Sequence, residues 1–107
     1  MTEPRRENTK RLPGISAAEL AIVRRILSGF PKVCVFGSRA TGKHRPFSDL
    51  DLCILGETPV SDATMDSLRE AFQESDLPYK VDIVDVHSMT PEFKKSALAT
   101  AIVIFEH

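Results

Sequence analysis

Asp49 and Asp51 are separated by one residue in the stretch "SDLDLCIL", and ten residues separate Asp49 from the upstream pair Gly37-Ser38. If the aspartate stretch is a strand, alternate side chains leave on opposite faces, so Asp49 and Asp51 share one face while Leu50 and Leu52 enter the core on the other. Two carboxylates held so close repel, which raises the proton affinity of at least one unless a cation sits between them. A divalent ion removes that penalty, and magnesium takes oxygen ligands: one or two carboxylates, phosphate oxygens and water. Upstream, Gly37 ends the apolar run "KVCVF" and opens a turn through Ser38, Arg39, Ala40, Thr41 and Gly42. A strand-to-helix turn of this kind can aim backbone N–H groups at a phosphate, and glycine permits close backbone approach. Arg39, Lys43 and Arg45 add positive charge, with Arg39 the candidate for a phosphate contact. The pattern is that of a metal–phosphate site, an anion cradle at one strand end and cation ligands on the next.

A third oxygen ligand should come from a neighbouring strand, and "VDIVD" offers Asp82 and Asp85. Their odd separation puts them on opposite faces, so periodicity alone does not choose between them. If Val81 and Ile83 face the helices along with Leu50 and Leu52, Asp82 joins the aspartate face and Asp85 is left to a structural or solvent-facing place. His44 and His87 have no paired nucleophile or ligand spacing, which favours surface or turn roles.

These residues need elements to hold them. Ser16 and Glu19 form a capping-box signature, and Leu20, Val23, Leu27 and Phe30 then share one helical face, predicting a helix over Ala17 to Ser28 that stops at Gly29. "KVCVFG" reads as a buried strand and "SDLDLCIL" as a second strand with an exposed start. Ser61 and Asp62 can cap a helix in which Met65, Leu68 and Phe72 share a face, ending before Pro78. "YKVDIVDV" is a third strand, Thr90-Pro91-Glu92 another helix start, and "AIVIF" a closing strand. Residues 1–14, rich in Pro and Arg, read as a flexible tail ahead of one domain over 15–107. The order predicts an α/β (α+β) chain with a small mixed sheet and helices packed on one side.

Composition bounds the function. At 107 residues the chain is one modest domain, and 14 Lys+Arg against 15 Asp+Glu disfavour a nucleic-acid binder driven by net positive charge, so direct nucleic-acid binding is not expected. No stretch approaches the roughly 18 to 20 apolar residues of a membrane span, and the charged start lacks the apolar region of a signal peptide, so a cytoplasmic protein is expected. Cys34 and Cys53 lie in apolar runs without metal-ligand spacing and are read as small buried hydrophobes.

Gly37-Ser38, then ten residues, then Asp49-Leu50-Asp51, with a carboxylate on a later strand, resembles the signature of the DNA polymerase β-like nucleotidyltransferase superfamily. The short length resembles its minimal branch, proteins often encoded beside a HEPN-domain partner as toxin–antitoxin pairs. The resemblance covers about residues 15 to 106. It implies that Gly37 and Ser38 form the phosphate-binding turn, that Asp49 and Asp51 are the two bridging metal ligands, and that Asp82, rather than Asp85, is the third carboxylate and helps activate the acceptor hydroxyl. It further implies two Mg²⁺ ions, with Mn²⁺ able to substitute, about 3.5 to 4 Å apart and clamping the attacking and leaving oxygens of an in-line displacement at the α-phosphate of a nucleoside triphosphate, ATP before others. Only 25 residues follow Asp82, which leaves no room for the helical domain with which larger relatives grip an acceptor, so a second copy of this chain or a different protein docking beside the site is expected to complete it, and the resemblance points to a partner of HEPN type. Two functions follow from this reading: an enzyme that transfers AMP to a hydroxyl on its partner and acts as an antitoxin, or an idle binding antitoxin that neutralises the partner by occlusion. The full set of acidic residues favours the enzyme.

Overall fold

The computed structural model describes residues 15–42 and 48–106. The expected tail over 1–14 and the basic positions Lys43, His44 and Arg45 lie outside the described residues. Helix α1 (Ala17–Ile26) starts at the capping box, where the Ser16 hydroxyl accepts from the Glu19 N–H and the Glu19 carboxylate accepts from the Ser16 N–H. It ends two residues sooner than its apolar face predicts, because Leu27 leaves helical geometry at φ −100° and ψ 17°. Strand β1 (Lys32–Phe36) leads through Gly37 into the one-turn helix α2 (Ser38–Thr41), an element that the sequence reading holds only as a turn. Strand β2 (Leu50–Ile54) follows, then α3 (Asp62–Gln73), capped by Ser61 as its sequence predicts. Strand β3 (Val81–Asp85) passes through a 3₁₀ turn at Val86–Ser88 into α4 (Pro91–Ala99), and β4 (Ile102–Glu106) follows. Thr90 caps α4 and Pro91 takes its first position, where a missing N–H costs nothing.

The four strands form one mixed sheet in the order β3-β2-β1-β4. β1 pairs antiparallel with both β2 and β4, whereas β2 and β3 run parallel, joined across one face by α3. Leu20, Val23 and Leu27 from the first helical segment and Met65, Leu68 and Phe72 from α3 pack onto Val33, Val35, Leu50, Leu52, Ile54, Ile83 and Ile104. Each such large side chain taken from water contributes roughly 1.5 to 3 kcal/mol, which pins the register of every strand to this face.

The expectation of helices on one side describes α1 and α3. α4 lies across the opposite face, where Ala97 packs in a smaller cluster with Cys34, Phe36, Cys53 and Val86. The second layer forms because the alternate positions of β1 and β2, Cys34, Phe36 and Cys53, are also apolar and need cover. Cys34 and Cys53 are cross-strand partners, fully buried and free. A hydrogen bond to Cys34 together with burial pushes the Cys53 thiol up. Among the described residues no helix is long and apolar enough to cross a membrane.

Candidate active site

The sheet register builds the site. Phe36 pairs with Asp51 across β1 and β2, and Asp51 pairs with Asp82 across β2 and β3. Directly paired residues share a face, so the two aspartates stand side by side on the face away from α1 and α3. Val81 packs against the core on the helix side and Ile83 is buried in it, which meets the condition set by the sequence: Asp82 joins the aspartate face and Asp85 leaves it. Asp49, exposed just before β2 begins, is close enough for its charge to act on Asp51. Burial, then the charge of Asp82, then that of Asp49 raise the Asp51 carboxyl to about 6.

Gly37 sits one residue beyond the Phe36–Asp51 pair with φ +77°, in the left-handed region that only glycine adopts at little cost. A Cβ at this position would overlap the Asp51 carboxylate. The bare backbone is therefore what lets the β1–α2 turn lie directly against the acidic pair. Ser38 then opens α2, whose compactness comes from Ala40 and Thr41 N–H bonds to the Gly37 carbonyl and a Thr41 hydroxyl bond to the Ser38 carbonyl.

A cleft of about 420 Å³ gathers these groups: Phe36, Gly37, Thr41, Asp51 and Asp82 on the sheet side, with Phe93, Ser96, Ala97 and Thr100 contributed by α4 and the residue after it. The α4 residues are the part of the site that sequence reasoning misses. Their signal is present: positions 93, 96, 97 and 100 follow helical spacing, but the face mixes one aromatic with small and hydroxyl-bearing residues and so reads as neither core nor site. A second hollow of about 600 Å³ lies along the free edge of β3, lined by Arg69, Phe72, Leu77, Tyr79 and Lys80 among others. Asp82 borders both.

Arg39 is placed apart from the other candidates. It is only 2% exposed, donates from Nε and Nη2 to the Ser48 carbonyl at 3.2 and 2.8 Å, and lies 4.2 Å over the Tyr79 ring. The Tyr79 hydroxyl in turn donates to Glu19, which completes the capping box of α1 with Ser16. This chain of contacts fastens the backbone that leads into Asp49 to the helix-covered side of the sheet. Asp85 is buried and structural: it accepts from the Val60 N–H at 2.7 Å and the His87 N–H at 3.1 Å, holding the loop before α3 and capping the 3₁₀ turn. His87 takes a turn role, its Nε2 lying 2.8 Å from the Gly56 carbonyl.

The donor set suits a hard cation. Asp51 and Asp82 supply oxygen atoms on neighbouring strands, and a cation between them would offset both the burial of the Asp51 carboxyl and the repulsion it meets from Asp82 and Asp49. Among the described residues no three His, Cys, Asp or Glu side chains are already gathered around a point where an ion could sit. Magnesium is a hard cation of this kind: it commonly binds through carboxylates and completes its shell with phosphate oxygens and water.

Comparison with known proteins adds to this geometry. The profile of the family "Polymerase beta, Nucleotidyltransferase" matches residues 26–107. A Haemophilus influenzae protein named "Probable protein adenylyltransferase MntA" is 42% identical over 95 residues, covering 86% of this chain and 83% of its own. A crystal structure of a toxin-antitoxin with AMP-PNP superposes with a TM-score of 0.69 at 18% identity, over 82% of this chain and 73% of the other. A structure of tri-AMPylated Shewanella oneidensis HEPN toxin in complex with MNT antitoxin superposes with a TM-score of 0.58 at 17% identity, over 82% of this chain and 66% of the other.

Proposed function

The chain belongs to the polymerase β nucleotidyltransferase family, and on that premise we propose that it transfers AMP from ATP to a hydroxyl on a HEPN-type protein partner, acting as that partner's antitoxin. The observation that carries the reading is the in-register Asp51–Asp82 pair with the Gly37 backbone lying against it in one cleft. The adenylyltransferase name of the Haemophilus influenzae relative supports the choice of AMP. The toxin-antitoxin and AMPylated HEPN complexes among the structures of like fold support the choice of partner.

In the proposed reaction the acceptor oxygen attacks the α-phosphorus, a new P–O bond forms, and the bond to pyrophosphate breaks. Asp49, Asp51 and Asp82 would hold Mg²⁺, which supplies charge neutralisation for the phosphates and for the acceptor oxygen. The β1–α2 turn at Gly37 and Ser38 orients the departing phosphates through backbone N–H groups, since the first N–H groups of a helix have no carbonyl partner within it. Asp82 faces the acceptor and takes the hydroxyl proton. Its place between the cleft and the hollow at the β3 edge gives an acceptor segment a route to the phosphate from the side away from α4. Catalysis on this account is positioning and charge neutralisation, with no covalent enzyme intermediate.

The test is transfer of label from ATP marked in its α-phosphate to a purified HEPN-type protein, taken from this chain's genomic neighbourhood where one is encoded there. Label should appear on the partner with Mg²⁺ and be lost with EDTA or with Asp51→Asn. A partner that stays unlabelled with the intact protein and Mg²⁺ contradicts the proposal.

A further inference from the structure

Phe93 is the one large hydrophobic side chain among the described residues that stays exposed, at 47%. Single exposed apolar residues are ordinary on protein surfaces, but this ring lines the same cleft as Gly37, Asp51 and Asp82. It is also held in place. The ring meets Phe36 edge-on, with centroids 5.8 Å apart and planes at 81°, and Phe36 is the buried cross-strand partner of Asp51. The aromatic edge is therefore anchored through one side chain to the strand pair that carries the carboxylates, while nearly half of its surface remains open.

Resting on the nucleotidyl-transfer reading, we propose that Phe93 is the stacking platform for the nucleotide's base, and that Ser96 and Thr100 meet the sugar or base edge. Phe93 and Thr100 are seven residues apart, which along a helix is about 10 Å, enough to lay a nucleoside against α4 while its phosphates reach Gly37. The wall offered by α4 carries no charge: Phe93, Ser96, Ala97 and Thr100 are apolar or hydroxyl-bearing. The two carboxylates at the cleft floor belong to the phosphate end, so the occupant of the α4 wall is the neutral nucleoside. Stacking depends on ring area more than on the pattern of donors and acceptors, so purine triphosphates bind more tightly than pyrimidine triphosphates, with little discrimination between adenine and guanine.

Calorimetric titration of the full chain with Mg²⁺ and ATP, UTP or inorganic tripolyphosphate tests this, for the intact protein, Phe93→Ala and Phe93→Tyr. Stacking of one base is worth roughly 1 to 3 kcal/mol, about a 5- to 150-fold change in affinity. Phe93→Ala should therefore weaken ATP binding by at least about fivefold. The same change should leave tripolyphosphate binding unaltered, and Phe93→Tyr should bind ATP as the intact protein does. Unchanged ATP affinity in Phe93→Ala overturns the proposal, including the case in which only partner binding is lost. An equal loss for ATP and tripolyphosphate overturns it as well, since the ring would then be supporting the phosphate end. If the intact protein binds neither ATP nor tripolyphosphate, the failure lies in the nucleotidyl-transfer reading itself, and this proposal falls with it.

Discussion

Asp51 is where sequence, burial and charge meet most directly. Its carboxyl is raised to about 6 from 3.8 by burial and by Asp82 and Asp49, so the folded protein holds a proton there more tightly than the unfolded chain. Between about pH 4 and pH 6 the folded state binds more protons, and stability falls as pH rises through that window. Above it the cost of the buried charge, together with the repulsion from Asp82 and Asp49, is fully present. Asp51→Asn should remove this slope and stabilise the metal-free protein at pH 7 to 8 by about 1 to 2 kcal/mol, allowing for the solvent that still reaches the group. Thermal melts of both proteins from pH 4 to 8 without metal check it, and a variant less stable than the parent at pH 8 would count against it. The same variant should lose transfer. Asp82 and Asp85 separate function from structure: Asp82→Asn should abolish transfer without lowering Tm, since it relieves part of the repulsion on Asp51. Asp85→Ala should leave two N–H groups unpaired in a buried site, lower stability by about 1 to 3 kcal/mol, and keep activity at temperatures where the protein is folded. Activity lost in Asp85→Ala but retained in Asp82→Asn would reverse the assignment. The shared face of Asp49 and Asp51 was legible in sequence because strand periodicity fixes faces, whereas for Asp82 it set only a condition, which the packing of Val81 and Ile83 meets. The role of Asp85 was not legible, because its partners Val60 and His87 come from loops that no periodicity describes.

At the scale of elements, the β1–α2 turn and the Arg39 contacts decide where the carboxylates stand. Gly37→Ala adds a methyl group that collides with Asp51 at a positive φ, and should cost about 1 to 3 kcal/mol and bring transfer to background. Gly42 is a built-in control. Its φ is +81° but a Cβ there meets nothing within 4 Å, so Gly42→Ala carries only the backbone strain, about 1 kcal/mol, with activity kept. Equal activity in the two variants would mean that the turn need not lie against Asp51. Arg39→Met removes the bonds to the Ser48 carbonyl and the stacking on Tyr79, and should lower Tm by roughly 10 °C, corresponding to about 2 kcal/mol. A variant with unchanged Tm and weakened nucleotide binding would instead mark Arg39 as a phosphate ligand. Sequence placed a cation near the turn but could not see that the guanidinium folds inward, since that depends on Tyr79, forty residues away along the chain. The helix caps at Ser16, Ser61 and Thr90 were legible because capping is local chemistry.

At the scale of the whole molecule, the order of elements and the apolar stripes of α1 and α3 were enough to foresee a small mixed sheet with one covered face. The position of α4 was not foreseen, because its buried contribution is a single Ala97 rather than a stripe. That helix turns an exposed row of carboxylates into a cleft, and with the hollow at the β3 edge it leaves Asp82 open on two sides. The molecule on this account is a nucleotide site with one side left for a partner to complete. The most direct measurement is the intact mass of the proposed HEPN-type partner after co-expression with this protein or with Asp51→Asn. A partner heavier by one or more AMP groups, and silenced, only with the intact protein is the expected result. An unmodified partner neutralised equally well by both proteins would contradict it.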